Sequence, residues 1–496
     1  MKLNAPLFPI ALALMAGIAL SVYLPQWHWA LLVLFPLVTV TCLLNRWPRC
    51  QEACIMLSTL VIGMALGARN RQQLEVSWPA EQVQKQLVVI NEPVLKEKWV
   101  VVDVLTADDG RKLRCRIARD SLSSRIVVGD GLSAYLYIKN VRDWRAGHYD
   151  YRRYMQCHGF VGEALVFARQ WRWQQVPLSG LSVVQRARLR FLCWRHQLLE
   201  HFRQWHFSDE HYGVVAAMTL GDRSQLDAQI QNTYSQVGAS HILALSGLHL
   251  MILYAVITLF LGWIRHQLFT QVVIALSVWA FAFLVGLSPS VTRSAFMISL
   301  YAILSVGHRD RMSVNVLAFA AIVMLSIHPY VLYDMGFQMS FMAVLAILLF
   351  HPLFGRIVPP HVLQRHRWLG AVWGLVTVSL SAQVGTAPLV AYYFGRFSCY
   401  FLLTNFIVIP SAYVILMLTL ACLVVSSWPW AADLLAQGLE WTVGWMNRLL
   451  AAIAHLPGCT VEGISLSGLQ LLLIYVALAS AWVFISIRYR ESRRSV

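Results

Sequence analysis

The chain has 496 residues, of which 58% are hydrophobic and 13% are charged, and its formal net charge is +16. This composition excludes an ordinary soluble globular protein. The excess of cations suits an anionic partner, either nucleic acid or lipid head groups, and charge alone does not separate the two.

Apolar runs of spanning length begin at the N-terminus. A helix needs roughly 17–25 apolar residues to cross a bilayer, and shorter runs need support from neighbouring helices. Two further runs follow the first directly, so residues 1–24 are predicted to be an uncleaved span rather than a signal peptide. The clearest runs are Leu7–Leu24, Trp29–Leu44, Ile55–Ala68, Ile242–Ile264, Leu268–Leu287 and Phe401–Val425.

Short basic loops predict the orientation, because cytoplasmic loops are enriched in Lys and Arg. Lys2, Arg46 and Arg49 place the N-terminus inside and residues 69–240 outside. About nine further spans keep the later basic loops and the tail inside. Segment 428–456 is left open as a span, a helix that lies flat or a segment that re-enters, because it carries Asp433, Glu440 and Arg448. We therefore expect about 10–12 transmembrane helices. The later cations are Arg265, Arg309, Arg311, Arg356, Arg365, Arg367, Arg488, Arg490, Arg493 and Arg494.

After the third apolar run the periodicity becomes that of β-strands. Turn signals lie at Asp108-Asp109-Gly110 and Gly129-Asp130-Gly131. Five short strands separated by such turns predict a small barrel, with an OB-type fold as the natural candidate. The predicted strands are Gln86–Asn91, Lys98–Thr106, Lys112–Ala118, Ile126–Ile138 and Phe160–Phe167.

This predicted barrel is basic. Between Arg69 and Gly180 there are 18 Lys and Arg residues against 12 Asp and Glu residues. Strand alternation places Lys112, Arg114 and Arg116 on one face, and cations next to flat rings suit single-stranded nucleic acid. The alternative is a solvated outer face with aromatic rings in the core. The predicted DNA-binding residues are Arg111, Lys112, Arg114, Arg116, Tyr135, Tyr137, Lys139, Arg142 and Trp144.

Two of the nine cysteines, Cys115 and Cys157, lie in the domain assigned to the outside. Because that compartment is oxidising, we predict a disulfide between them.

An arginine-rich stretch follows the barrel. Its apolar and basic residues separate at helical spacing over Val183–Phe207, which predicts a helix in the membrane interface; an ordinary linking helix is the alternative. Residues 213–240 are interpreted as a second amphipathic segment. The predicted organisation is an N-terminal three-helix segment (1–68), the β domain (69–180), interfacial helices (181–240), a polytopic channel domain (241–487) and a basic cytoplasmic tail (488–496).

The segment Gly238–Leu250 places two histidines, two serines and a glycine at the head of an apolar run. Polar side chains at membrane depth usually face a bundle interior or a watery path, and Gly beside Ser lets a helix open. The alternative is close packing and hydrogen bonding between helices. The predicted channel-lining residues are His241, Ser246, Gly247, His249, Arg293, Asp334, Gln338, Ser379, Gln383 and Asn405.

These segments resemble the ComEC-type competence family along nearly the whole chain. The stretch H-I-L-A-L-S-G-L-H at 241–249 resembles the family signature. One block departs from the family pattern by Met for Leu, at Met339, and the element at 146–151 departs at two positions. The other matching segments are Leu220-Gly221-Asp222-Arg223, Ser290-Val291-Thr292-Arg293-Ser294-Ala295-Phe296-Met297, Asp334-Met335-Gly336-Phe337-Gln338-Met339-Ser340-Phe341 and Ala146-Gly147-His148-Tyr149-Asp150-Tyr151.

The resemblance implies a multi-pass protein of the bacterial inner membrane that imports single-stranded DNA. It also implies an OB-like domain, a DNA receptor outside, and a motor or single-strand-binding protein inside; membrane lipids are the other expected partner. Full-length relatives often carry a metallo-β-lactamase-like nuclease domain, whose His-x-His-x-Asp-His cluster does not occur in this sequence. We therefore interpret the chain as either a shorter family member or a truncated form, and we expect it to have no enzyme activity and to bind no metal or cofactor.

Two alternatives remain open. A small-anion secondary transporter would also use broken helices. A membrane-embedded enzyme would use the region of His241 and His249, although their eight-residue spacing puts them about 80° apart on an unbroken helix.

Overall fold

The computed structural model describes residues 5–24, 26–205, 207–261, 267–306 and 313–494. Helices form most of the chain, and one β domain is inserted after the third helix. The helices are α1 (Leu7–Leu20), α2 (Trp29–Leu43), α3 (Pro48–Leu74), α4 (Tyr151–Cys157), α5 (Val183–Arg203), α6 (Asp209–Leu220), α7 (Ala228–Gln236), α8 (Ser240–Leu243), α9 (Gly247–Leu261), α10 (Gln267–Leu284), α11 (Pro289–Val306), α12 (Val314–Ile327), α13 (Met335–Phe354), α14 (Pro360–Arg365), α15 (Arg367–Phe394), α16 (Phe401–Val424), α17 (Pro429–Ala454) and α18 (Gly468–Arg494). The strands are β1 (Val83–Val89), β2 (Val94–Leu95), β3 (Trp99–Thr106), β4 (Lys112–Ala118), β5 (Gly131–Lys139), β6 (Arg145–Ala146), β7 (Tyr149–Asp150), β8 (Phe160–Val166), β9 (Trp171–Trp173), β10 (Arg396–Ser398) and β11 (Thr460–Glu462).

The chain is a multi-pass helical membrane protein. Within the described residues, five helices are long and apolar enough to cross a bilayer, and five more are apolar but shorter. The long ones are Pro48–Leu74, Met335–Phe354, Arg367–Phe394, Phe401–Val424 and Gly468–Arg488. The shorter ones are Leu7–Tyr23, Trp29–Leu43, Gly247–Leu261, Leu268–Leu284 and Val314–Ile327.

Most predicted apolar runs coincide with one helix, but two differ. The run Ile55–Ala68 is the middle of the longer α3, and the run Ile242–Ile264 is interrupted. Segment 428–456 forms α17, which packs along α16 through Ala436, Leu439 and Val443, all buried at helical spacing. The predicted loop cations Arg265, Arg309 and Arg311 lie outside the described residues.

The β domain is a closed five-stranded barrel. Its strands run in the order β1-β3-β4-β8-β5, and β5 pairs with β1 to close it. The β4–β8 pairing is parallel, whereas the other barrel pairings are antiparallel. Closure removes the exposed edges of the sheet, and the predicted OB-like barrel is confirmed.

The five predicted barrel strands are all present, with shifts at their ends. The largest shift is at β5, which begins at Gly131 because residues 126–130 form the preceding turn. Sequence periodicity missed α4, a seven-residue helix whose N-terminus is capped by Asp150; the carboxylate accepts from the Arg153 backbone N–H at 3.0 Å.

The predicted disulfide is wrong, because Cys115 and Cys157 are both free. Alternation along β4 points Cys115 into the barrel core, where it is fully buried. Cys157 ends α4 and donates its Sγ–H to the Tyr330 carbonyl at 3.0 Å, so its thiol faces the helical part of the protein instead.

Helix α5 connects the barrel to the membrane helices. It begins with a capping box between Ser182 and Gln185. His196 lies 3.1 Å from Glu92 of the barrel domain, and Phe191 packs on Phe283 of α10 with ring centroids 5.6 Å apart. Helix α6, in the segment interpreted as amphipathic, is instead buried from Tyr212 to Leu220 in the helical core.

The barrel also rests directly on the helical part. The His148 ring stacks on Tyr392 of α15 at 3.9 Å, and its Nε2 lies 2.8 Å from the Leu466 carbonyl oxygen. The Arg153 guanidinium lies 4.9 Å from the centre of the Tyr333 ring, just before α13. These contacts set the barrel against the ends of α13 and α15.

Candidate functional site

The predicted helix break before α9 is confirmed. Helix α8 ends at Leu243, α9 begins at Gly247, and Ala244 between them is extended. Ser246 caps α9: its Oγ accepts from the Leu248 backbone N–H at 3.3 Å. His249 returns the cap, because its Nδ1 accepts from the Ser246 backbone N–H at 3.2 Å.

This cap fixes the tautomer of His249. Because Nδ1 accepts a hydrogen bond, the neutral ring carries its proton on Nε2. That Nε2 is buried and has no partner among the described residues. An unpaired buried donor costs about 1–3 kcal/mol, so His249 presents an N–H group that a passing or bound acceptor would satisfy.

Arg293 lies in the second turn of α11 and is 1% exposed. Its Nη2 donates to the Gly336 carbonyl oxygen at 2.7 Å, and its Nη1 lies 3.9 Å from Asp334 Oδ1. Neither Nε nor Nη1 has a hydrogen-bond partner among the described residues. The Asp334 carboxylate therefore compensates the positive charge of Arg293 only from a distance, without a hydrogen bond. The buried guanidinium keeps unused N–H groups on two of its nitrogens.

The starts of α9 and α13 both pack against the first turns of α11, the helix that carries Arg293. Asp334 caps α13 by accepting from the Phe337 backbone N–H at 2.7 Å. At Gly247, a Cβ would lie 2.9 Å from Ser294 Oγ, so the start of α9 lies against α11 beside Arg293. Because helix N-termini carry partial positive charge, the starts of α9, α11 and α13 together with Arg293 favour an anion.

Gln338 is satisfied by the protein itself. Its Nε2 donates to the Leu332 carbonyl at 2.9 Å, and its Oε1 accepts from the Tyr393 hydroxyl at 2.7 Å. Gln338 thus links α13 to α15 through hydrogen bonds, as expected if a polar residue holds helices together rather than lining a channel.

The remaining predicted lining residues are His241, Ser379, Gln383 and Asn405. His241 is exposed on α8, and its Nδ1 lies 3.0 Å from the Gly238 carbonyl oxygen. Ser379 and Gln383 lie on α15, and Asn405 lies in the first turns of α16. No hydrogen bond joins these four to Arg293 within the part of the chain that the structure describes.

Sequence reasoning missed a second set of unpaired polar atoms. The hydroxyls of Ser398 and Thr404 are buried without partners among the described residues, at the start of α16. A Cβ on Gly238 would lie 3.0 Å from the Ser398 Cβ, which places this pair beside the approach to α8. Neither hydroxyl stood out, because single Ser and Thr residues are common in membrane helices.

The basic residues of β4 alternate with buried ones as predicted, but carboxylates neutralise two of the three, Arg114 and Arg116. Leu113, Cys115 and Ile117 are buried, and the basic residues between them face outward. Arg114 Nε lies 2.8 Å from Asp103, and Arg116 Nη2 lies 3.1 Å from Glu163. These partners come from β3 and β8, and the sequence gives no signal for the pairing.

Arg111 is paired as well, with its Nε 2.9 Å from Asp109. Lys112 differs from the other three: its Nζ donates to the His158 carbonyl at 3.3 Å and lies 4.0 Å from the centre of the Phe160 ring.

The outer face of β5 combines rings and a cation. Tyr135 is 48% exposed, and Tyr137 and Lys139 follow at alternate positions on the same face. The Lys139 ammonium lies 4.9 Å from the centre of the Tyr137 ring. Arg142 and Trp144, just after the strand, are also exposed. This surface, the β5 face, offers stacking and charge side by side.

No group of three His, Cys, Asp or Glu residues with metal-binding proximity occurs among the described residues.

Residues 218–488 match the sequence profile of the family described as Competence protein. The chain belongs to the competence protein family. The matched region contains the helix break, Arg293 and Asp334, and the resemblance stated from the motifs is confirmed.

Two curated relatives extend this comparison. ComE operon protein 3 of Bacillus subtilis (strain 168) is 26% identical over 320 residues, which cover 64% of this chain and 38% of that protein. A protein described as uncharacterized from Aquifex aeolicus (strain VF5) is 30% identical over 200 residues, 40% of this chain and 44% of that protein. The matched segments thus span less than half the length of these relatives. No solved structure matches the chain.

Proposed function

We propose that this member of the competence family acts in DNA uptake, passing one DNA strand through the membrane helices after the barrel has bound it outside. The observation that carries the proposal is a buried Arg293 with unused N–H groups on α11, against which the starts of α9 and α13 pack. The match to the family described as Competence protein and the similarity to ComE operon protein 3 support the same process.

A strand needs attraction for its phosphates without a site so strong that it stalls. Arg293 donates one hydrogen bond to the Gly336 carbonyl and lies near Asp334 without a hydrogen bond to it. The His249 ring adds an uncharged N–H donor. Acids are also scarce in this region: between residues 213 and 487 only seven occur, Asp222, Asp227, Asp310, Asp334, Asp433, Glu440 and Glu462. A pathway that is polar but poor in carboxylates suits a polyanion.

The barrel supports the first step. The β5 face supplies flat rings beside Lys139, and such surfaces bind single strands with little sequence preference. In this proposal the barrel lies outside the bacterial inner membrane, segment 241–487 is the conduit, and a cytoplasmic motor or single-strand-binding protein draws the strand inward.

The test is transport by the full chain in liposomes. Labelled single strands are added outside, a single-strand-binding protein is trapped inside, and an external nuclease removes whatever has not entered. We expect protected label to accumulate with the wild-type protein and with Arg448→Gln, a matched change at an exposed arginine of α17. Arg293→Gln should lower the rate about tenfold or more.

The same vesicles distinguish DNA passage from the strongest alternative, transport of a small anion. Convergent helix starts with one arginine would also suit a small anion, so inorganic phosphate and iodide are tested beside DNA. Rapid flux of a small anion with no protected strand would favour a secondary transporter and would contradict DNA passage.

A further inference from the structure

A second cationic site lies between the barrel and α5. A cavity of about 290 Å³ opens there, bounded by β4, the turn after α4, the start of α5 and His328, which follows α12. Its polar lining comes from Arg111, Lys112, His158, Gln185, Arg188 and His328. None of the described residues lining it is acidic.

Lys112 and Arg188, two of the cations that line the cavity, form no ion pair with a carboxylate among the described residues. Arg111 is neutralised by Asp109, and the nearby Asp103 is already paired with Arg114. Lys112 donates only to a carbonyl, and the Nε of Arg188 is buried with no partner among the described residues. Asp103 favours the charged form of both groups but is shared with Arg114, and burying two positive charges with so little counter-charge is costly.

The environment of Lys112 reflects this lack of compensation. Burial, followed by the nearby Arg188, lowers the pKa of Lys112 to about 7. Burial likewise lowers the pKa of Arg188, and Arg195 on the same helix adds to the effect. A bound anion would relieve both groups, since an opposite charge favours the protonated forms.

We propose that this cavity binds a phosphate group, either a free phosphate ion or the headgroup phosphate of an anionic phospholipid. Arg188 would supply directed N–H donors, and Lys112 would supply a compact charge. None of the lining residues is Phe, Tyr or Trp, so the cavity lacks the large rings that make the β5 face suitable for a nucleobase. The site is therefore separate from the β5 face and does not depend on the proposed function.

The position of the cavity suits a headgroup. Val183 and Val184, at the start of α5, are 74% and 58% exposed. Apolar side chains exposed beside basic ones on one helix are typical of a membrane interface. A headgroup phosphate in the cavity would join the barrel to the bilayer through the same helix.

The test uses the full chain purified in neutral detergent. Phosphate is added at constant ionic strength and the melting temperature is recorded, while native mass spectrometry detects co-purified phospholipid. Arg188→Gln and Lys112→Met remove the cations. Arg186→Gln, at an exposed position on the same helix, is the matched control. We expect phosphate to raise the melting temperature of the wild type and the control by about 5 °C, but not that of the two cavity variants.

The outcomes identify the source of the phosphate. Stabilisation by phosphate alone indicates the free ion, and retained anionic lipid that is lost from Arg188→Gln indicates the headgroup. Neither signal in the wild type, or equal signals in Arg188→Gln, would overturn the proposal. Stabilisation only by an oligothymidine, again lost in Arg188→Gln, would overturn it in favour of a strand contact. If Arg188→Gln does not fold, Arg188→Lys keeps the charge and should weaken binding by losing the planar donor set.

Discussion

Arg293 Nη1 lies 3.9 Å from Asp334 Oδ1, and the two side chains are 1% and 11% exposed. Asp334 also caps α13, so it has a structural and an electrostatic role. Asp334→Asn keeps a capping oxygen but leaves the buried guanidinium without its acid, and we expect a loss of about 3 kcal/mol. Arg293→Gln combined with Asp334→Asn should recover most of that loss in thermal unfolding.

This double-mutant cycle has a clear negative result. If the losses from the two single changes simply add in the double variant, the two groups do not interact, and the weak ion pair is not what holds Arg293 in place.

His249→Gln separates the capping role of this residue from its donor role. Glutamine at this position can still accept from the Ser246 N–H, so stability should change by less than about 1 kcal/mol. The glutamine keeps an amide N–H group but moves it away from the position of the imidazole Nε2–H, so strand transport should fall about tenfold. Ser246→Ala is the converse control, with a stability cost of about 1 kcal/mol. Wild-type transport by His249→Gln would show that the histidine serves only as a cap.

Two glycines of α15 should respond to alanine with opposite signs. A Cβ at Gly385 would lie 2.5 Å from the Met342 carbonyl oxygen, because α13 and α15 pack closely there, whereas a Cβ at Gly374 meets nothing within 4 Å. Gly385→Ala should destabilise by about 1–3 kcal/mol, and Gly374→Ala should stabilise by up to about 1 kcal/mol. Melting temperatures that shift in the same direction would exclude this close approach.

Thiol labelling tests the correction of the predicted disulfide. Burial raises the pKa of the Cys115 thiol, so it should react with a maleimide only after unfolding, whereas exposed Cys50 should react in the native protein. Cys157 should also be labelled in the unfolded chain without reductant. A pair of thiols that resists labelling until reduction would instead indicate the disulfide.

The β5 face can be tested with two tyrosines of equal exposure. Tyr135 on β5 is 48% exposed and Tyr413 on α16 is 47% exposed. Loss of one stacked base costs about 1–3 kcal/mol, so Tyr135→Ala should weaken single-strand binding about 5- to 150-fold. Tyr413→Ala should leave binding unchanged. Equal affinities of the two variants, measured by fluorescence anisotropy, would exclude stacking on this face.

Local patterns sufficed for much of the fold. The two-residue period of β4 and the turn at Asp108-Asp109-Gly110 predicted strand and face correctly, because both depend on neighbours in the chain. The Gly-Ser break before α9 was equally local. The disulfide prediction failed because it used only the oxidising compartment, which does not determine where a cysteine side chain points. The Cys115 side chain points into the barrel core, and the Cys157 thiol points to the Tyr330 carbonyl.

The candidate site was harder to predict, since it depends on contacts between distant segments. Arg293 meets Gly336 and Asp334 across about 40 residues of chain, and no spacing rule encodes that meeting. The same holds for Arg114 and Arg116, whose acidic partners lie on other strands. The sequence showed which residues were unusual for a membrane helix, whereas the fold determined which of them share a site.

The most direct measurement follows fluorescent DNA into the cytoplasm of cells that lack this protein, with DNA bound at the surface scored separately. Deletion should abolish entry while surface-bound DNA remains, the wild-type gene should restore entry, and Arg293→Gln made at wild-type levels should not. Normal entry into the deletion strain, or full restoration by Arg293→Gln, would contradict a strand path through the helices that meet at this arginine.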